Sequence, residues 1–187
     1  MSGILELPEV RARMGLLTVE AYETLSGMGA VAKRAELIRG VIINKMPKSP
    51  LHRRLSKLIY SIFLLLERSG FVAFTESPLR LKDSMPEPDV MLVCGEVKDF
   101  DVEHPTTAEL VVEVAVSSVA LDRANCSLYA EANVPEYWII VAEERHIEVY
   151  RQPTGGRYMQ KRVYSLEESL VCESVPGVQV IVADLFT

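Results

Sequence analysis

The chain has 187 residues, 49% hydrophobic and 25% charged, with a formal net charge of −6; this is the size and balance of one globular domain with a full core. That acidity argues against generic DNA coating. Three widely spaced cysteines (Cys94, Cys126, Cys172) without a Cys-x-x-Cys pair argue against a disulfide framework or zinc site. No stretch approaches the ~20 apolar residues of a membrane span, and the N-terminus lacks the basic-then-apolar order of a signal peptide, so a cytoplasmic location is expected.

In chain order, residues 1–16 show no clear period and read as a lead-in. Leu17 to Leu25 reads as a helix, with Thr18 as N-cap, acids in its first turns and Gly27 as its end. Arg34 to Met46 reads as a strand pair or long strand, with Arg39-Gly40 as a tight turn or bulge. Pro47 and Pro50 break the chain. Ser49-Pro50 then opens a helix running to Ser69, with an apolar stripe through Leu51, Leu55, Leu58, Ile59, Ile62, Leu65 and Leu66. Gly70 closes it. Phe71 to Lys82 alternates as a strand, interrupted at Glu76-Ser77-Pro78. The runs after Asp89 and around Glu113 are strands. A helix from about Ala120 to Ala132 follows, capped by Ser117 or Ser118. Glu136 to Val141 is strongly β-forming. Arg145–Arg151 and Arg157–Tyr164 are strands joined by the turn Pro153-Thr154-Gly155-Gly156. A short strand from Val178 to Val182 ends the pattern. The irregular alternation predicts an α/β fold, with a mixed β-sheet flanked by helices on both faces.

Four polar residues stand where a purely structural sequence would prefer something else: Glu36, His52, Asp89 and Glu113. Glu113 interrupts a run, Leu110 to Val116, that otherwise reads as a buried strand, and burying an unpaired carboxylate is costly. Asp89 opens another apolar run after a proline-marked turn. Two carboxylates on neighbouring strands can share a hard cation through oxygen. The other reading makes Asp89 a turn cap and pairs Glu113 with a lysine or arginine. Glu36 reads as a water-mediated ligand or an outward strand residue. His52, in the first turn of its helix, reads as a proton shuttle or a solvent-facing side chain. His104 and His146 read as surface residues. Between Lys33 and Lys57 there are eight basic residues and one acid, Glu36, which is either a phosphate-facing surface or a solvated face. A glycine-rich phosphate loop, Gly-x-Ser-x-Gly and His-Glu-x-x-His are all missing, and Cys126 has no activating neighbour in sequence.

Several motifs in order carry a resemblance. They are Glu36-Leu-Ile-Arg-Gly, Ser49-Pro50-Leu51-His52, Pro86-Glu87-Pro88-Asp89-Val90, Leu110-Val-Val-Glu113-Val, and Leu128-Tyr129 through Pro135-Glu136-Tyr137-Trp138. Together they resemble the bacterial putative restriction endonuclease family, within the PD-(D/E)XK nuclease superfamily. The similarity runs from about Thr18 to the C-terminus. It implies a restriction-endonuclease-like fold, DNA as substrate, a homodimer, and Mg2+ (or Mn2+) held by Asp89 and Glu113. Glu36 would be the acid of the early motif, and His52 the histidine near the active site. The superfamily lysine, two residues past the second acid, is Ala115 here. Its displaced position on the following helix corresponds to Asn125, which keeps hydrogen bonding but supplies no charge.

Three function classes follow. The first is a metal-dependent endonuclease cleaving DNA phosphodiesters. The second is a weakened or inactive relative that binds nucleic acid or a protein partner. The third is a self-associating structural protein, using Tyr137-Trp138 at a sheet edge.

Overall fold

The structure is a computed structural model that describes residue 4 and residues 7–187, apart from the side chains of Arg11, Glu67 and Arg68. Part of the expected lead-in therefore lies outside the described residues. Within it, α1 covers Pro8–Arg11 and carries proline in its first turn.

Helix α2 (Val19–Gly27) starts where Thr18 accepts a hydrogen bond from the Ala21 amide at 3.2 Å. Strands β1 (Ala35–Ile38) and β2 (Val41–Asn44) form a separate two-stranded sheet, with Ile38 paired to Val41. The two linking residues, Arg39 and Gly40, both have positive φ (52° and 74°), so they make the turn whose twist matches a hairpin. A side chain at Gly40 would lie 2.6 Å from Leu16 Cβ, so glycine is required for packing as well as for φ. Val19, Tyr22, Leu37 and Met85 fasten hairpin and helix together as a small core.

Helix α3 (Pro50–Phe63) begins as the sequence indicates, with Ser49 accepting from the His52 amide and Pro50 in the first turn. Its buried residues Leu55, Ile59 and Phe63 recur every four positions, one face of a helix. The last stretch, Leu64–Ser69, tightens into a 3-10 turn before Gly70 at φ 84°.

The main sheet has six strands in the order β3-β4-β5-β6-β7-β8. They are β3 (Phe71–Phe74), β4 (Val90–Cys94), β5 (Leu110–Ala115), β6 (Glu136–Val141), β7 (His146–Thr154) and β8 (Arg157–Tyr164). Only β5 and β6 are parallel. Their crossover carries helices α4 (Val119–Ala124) and α5 (Cys126–Glu131). Strands β9 (Ser169–Val171) and β10 (Gln179–Ile181) form a small hairpin followed by α6 (Val182–Leu185).

Alternation along the strands sends residues to two separate cores. Val90, Leu92, Leu110, Val112, Val114, Trp138 and Ile140 pack with α3 and the C-terminal segment. Met91, Val93, Val111, Ala115, Tyr137, Ile139 and Val141 pack with α5 on the other face. The expected mixed sheet with helices on both faces is present.

Several expectations are corrected. The strand from Phe71 stops at Phe74, because Glu76 takes a left-handed φ of 48° and Pro78 has no amide to donate. The helix expected over 120–132 divides at Asn125, where ψ falls to −10°. The β7–β8 strands extend through Thr154 and Arg157, leaving only Gly155-Gly156 as the turn. Strand β6 is buried along its whole length between β5 and β7, so Tyr137-Trp138 is at no sheet edge. The edge strands are β3 and β8.

One buried ion pair ties β6 and β7 to the chain before β10. Glu136 accepts from Arg151 Nε, from Trp138 Nε1, and from the amides of Glu173 and Ser174. Glu136 and Arg151 are 1% and 5% exposed. Removing one member leaves the other charge stranded. Arg151→Ala should therefore lower the unfolding free energy by about 3 kcal/mol, seen in urea melts as a lower midpoint at unchanged slope.

Candidate active site

The site grows from the antiparallel pairing of β4 and β5. The register pairs Met91 with Val111 and Val90 with Val112. Continued by one residue, it sets Asp89 opposite Glu113 on the face that carries Met91 and Val111. The side chains confirm the apposition. Glu113 Oε2 accepts from the Asp89 amide at 3.2 Å, and Asp89 Oδ2 accepts from the Val114 amide at 2.8 Å. Both residues line a cavity of about 510 Å³, together with Glu36, Lys45, Lys48, Ser49, His52, Asp122 and Asn125.

Each wall comes from a different element. Glu36 lies on β1, buried, and its Oε2 accepts from the Glu87 amide at 3.2 Å. His52, held by the capped first turn of α3, brings Nε2 to 3.0 Å from Asp89 Oδ2. Asn125 sits buried at the α4–α5 junction. All five site residues expected from sequence thus reach one cavity.

Three others were missed. Lys48 Nζ donates to Asp89 Oδ1 and lies 3.0 Å from Glu76 Oε1. Lys45 lies 3.7 Å from both Glu36 Oε2 and Glu87 Oε2. Asp122, 7% exposed on α4, accepts from the Ser118 hydroxyl at 2.6 Å. Proline-flanked lysines in a loop gave no periodic signal. Asp122 gave none, since helical spacing puts Leu121, Ala124 and Leu128 on the inner face, whereas the structure buries Asp122 and leaves Leu121 and Ala124 exposed.

The two central carboxylates have opposite electrostatic settings. Burial alone would raise the Asp89 carboxyl, but the His52 hydrogen bond and the Lys48 charge outweigh it and hold it at about 2. Glu113 is pushed well above the ordinary range by burial, then by the charges of Asp89 and Asp122. Its bonding partners are the Tyr129 hydroxyl at 2.9 Å and the Asp89 amide. Among the described residues it makes no ion pair, so the lysine or arginine partner is not found. Burial likewise lifts Asp122 to about 6. Asp89 does not cap a turn; its oxygens serve Lys48, His52 and Val114.

The segment from Lys33 to Lys57 does not make one basic face. Lys45 and Lys48 turn inward, Arg39 binds Asp83 and Glu131, and Arg54 donates to the Thr187 carbonyl. Arg123 is also absent from the cavity, because it donates to buried Glu148 on β7. His146, expected at the surface, is 14% exposed in its side chain, lying 3.8 Å from Glu148 with Nε2 buried. His104 is exposed as expected. Burial pushes the Cys126 thiol up to about 11, which leaves it unreactive.

A six-stranded mixed sheet with acids at the β4–β5 apposition defines a restriction-endonuclease-like fold. The same fold appears in the crystal structure of a protein described as a putative nuclease from Anabaena variabilis ATCC 29413. The two superpose with a TM-score of 0.76 at 18% identity, over 91% of this chain and 97% of that one. Residues 19–184 match the family model of Uma2, described as putative restriction endonuclease, and the chain belongs to that family. No curated protein matches the chain. Among the described residues no helix is long and apolar enough to cross a membrane.

The Glu148 cluster gives a pH test that is independent of the cavity. Burial would raise this carboxyl, but hydrogen bonds from Arg123, Tyr150 and Lys161 hold it at about 2 rather than 4.5. A depressed folded-state pKa stabilises above the unfolded value and loses that contribution as pH falls toward 2. Glu148→Gln should therefore be destabilised at pH 7. Its deficit against the wild type in thermal melts should shrink steadily from about pH 4.5 downward.

Proposed function

We propose that the chain acts as one domain and is a metal-dependent endonuclease that hydrolyses DNA phosphodiester bonds. The observation carrying this reading is the apposition of Asp89 and Glu113 in one cavity, with Asp89 buried, Glu113 partly buried and, among the described residues, no ion pair made by Glu113.

The donor set suits Mg2+ or Mn2+. The groups are hard carboxylate oxygens, and magnesium sites commonly use one or two carboxylates with water and substrate phosphate completing the shell. Among the described residues no group of three or more His, Cys, Asp or Glu is placed to hold a metal ion, so the protein would supply the two carboxylates and leave the rest of the shell to water and phosphate. An ion on Asp89 and Glu113 would neutralise phosphate charge and acidify a bound water.

The chain's own residues do the rest. Tyr129 fixes Glu113 Oε1, and the Asp89 amide fixes Oε2, so the carboxylate is oriented from both sides. The Val114 amide and His52 orient Asp89 Oδ2. His52 is then placed to hold water or a phosphate oxygen once Asp89 is committed elsewhere. Glu36 can receive a water-mediated contact across the cavity. Asn125 offers an amide that can donate to substrate.

A second reading is favoured by one observation: the helix side of the cavity presents the neutral Asn125. In that version the site keeps the ion and binds nucleic acid but cleaves weakly.

Calorimetry with Mn2+ on the wild type and on Asp89→Asn, followed by plasmid nicking on the same samples, separates the readings. The nuclease reading expects binding that Asp89→Asn weakens by more than about tenfold, and nicking that falls by about 100-fold or more, in a protein destabilised by the stranded Lys48 charge but still folded at the assay temperature by thermal melt. Binding without nicking selects the second reading. Wild-type protein that binds no Mn2+ rejects both.

A further inference from the structure

Lys48 is an unusual lysine. Its side chain is only 8% exposed, and it lies in the loop between β2 and α3 and lines the acid-rich cavity. Burying an ammonium costs several kcal/mol unless it is paired, and here the pairing falls on a carboxylate assigned to another cation. The cavity brings together Glu36, Asp89, Glu113 and Asp122. An anionic phosphodiester entering among four carboxylates needs positive charge facing it.

The other cations near the cavity are committed. Lys45 Nζ donates to the Glu87 carbonyl and lies between Glu36 and Glu87. Arg123 is bound to Glu148, outside the lining. On the helix side stands Asn125, without charge. Lys48 differs from these. It has one buried partner, Asp89, and one exposed partner, Glu76, whose side chain is 57% exposed and is readily exchanged for water. A lysine is a compact charge on a flexible stem, so it can change partners without moving the backbone.

We propose that Lys48 is the substrate-binding cation of this site: its ammonium leaves Asp89 Oδ1 when that carboxylate is committed to a divalent ion, and donates to a non-bridging oxygen of the phosphodiester. The assignment rests on the endonuclease reading above. It explains how a cavity with neutral Asn125 on its helix wall can still bind and polarise a phosphate. The positive charge comes from the loop ahead of α3, on the opposite side in sequence. No bond is made or broken by Lys48; it compensates charge on the phosphate oxygen as the attacking water adds.

The test uses Lys48→Met, which keeps the length of the stem, and Lys48→Arg, which keeps the charge. Three readouts are taken on the full chain: Mn2+ affinity by calorimetry, binding of a labelled DNA duplex across a salt series in calcium, and plasmid nicking in Mn2+. For Lys48→Met the Mn2+ affinity should hold or rise, because a competing ammonium is gone. The slope of log affinity for DNA against log salt should fall by about one. Nicking should fall by about 100-fold. Lys48→Arg should restore the salt slope and part of the nicking. Lys48→Met that nicks as well as the wild type with an unchanged salt slope overturns the assignment. So does Lys48→Met that loses Mn2+, since Lys48 would then be a support of the ion site. Wild-type protein that neither binds Mn2+ nor nicks rejects the endonuclease reading itself, a result distinguishable from either.

Discussion

The site depends on a single cross-strand register. Antiparallel β4 and β5 align Val90 with Val112, and that alignment sets Asp89 against Glu113 one residue further on. A slip of one residue would turn Glu113 into the core formed with α3, toward Trp138, and turn Val112 and Val114 out of it. There it would have neither Tyr129 nor the Asp89 amide. Register is therefore fixed by the same apolar residues that build the two cores, and the acid pair is carried along with it. The cost of placing two carboxylates together is met by neighbours: His52, Lys48 and the Val114 amide around Asp89, and the Tyr129 hydroxyl and Asp89 amide around Glu113.

The protein segregates its charges into three buried groups with different logic. Glu136 and Arg151 form a closed pair, with each lone pair and amine satisfied by Trp138, Tyr164 or nearby backbone. Glu148 is saturated by Arg123, Tyr150 and Lys161. Both are structural, because each buried carboxylate already has a cation and further hydrogen-bond donors. The cavity group is the exception. Its acids outnumber its cations, and Glu113 is raised by that imbalance. An unbalanced cluster facing a cavity marks a functional site far better than any one residue in it does.

Much of this was legible in sequence, for identifiable reasons. Asp89 and Glu113 stand out because each adjoins an apolar run whose burial is unmistakable. Ser49-Pro50 and Thr18 announce their helices through local capping chemistry. What could not be read was long-range. The inward turn of Lys45 and Lys48 depends on how the hairpin docks, and composition had suggested a basic surface instead. His146 looked exposed because it opens a strand among charges, yet β7 lies between β6 and β8 and shields it. Tyr137-Trp138 looked like an interface because aromatic content cannot tell an edge strand from a central one. Asn125 divides a helix that periodicity had drawn as continuous.

The hairpin of β1 and β2 shares no strand pairing with the six-stranded sheet; it is fastened by the Leu37–Met85 bridge, by Leu17 on Gly40, and by the Arg39 contacts with Asp83 and Glu131. The cavity therefore has a floor and a separately paired wall. Asp89 and Glu113 belong to the floor, whose opening requires loss of the main core. Glu36 and, through the loop that follows, Lys45 and Lys48 belong to the wall, which is docked through Gly40 on Asp83, Arg39 on Ser84, Glu36 and Lys45 on Glu87, and Lys48 on Asp89. Anything bound between the two meets groups whose relative positions are set by docking of the hairpin, not by strand register: Asp89 and Glu113 on one side, Glu36, Lys45 and Lys48 on the other.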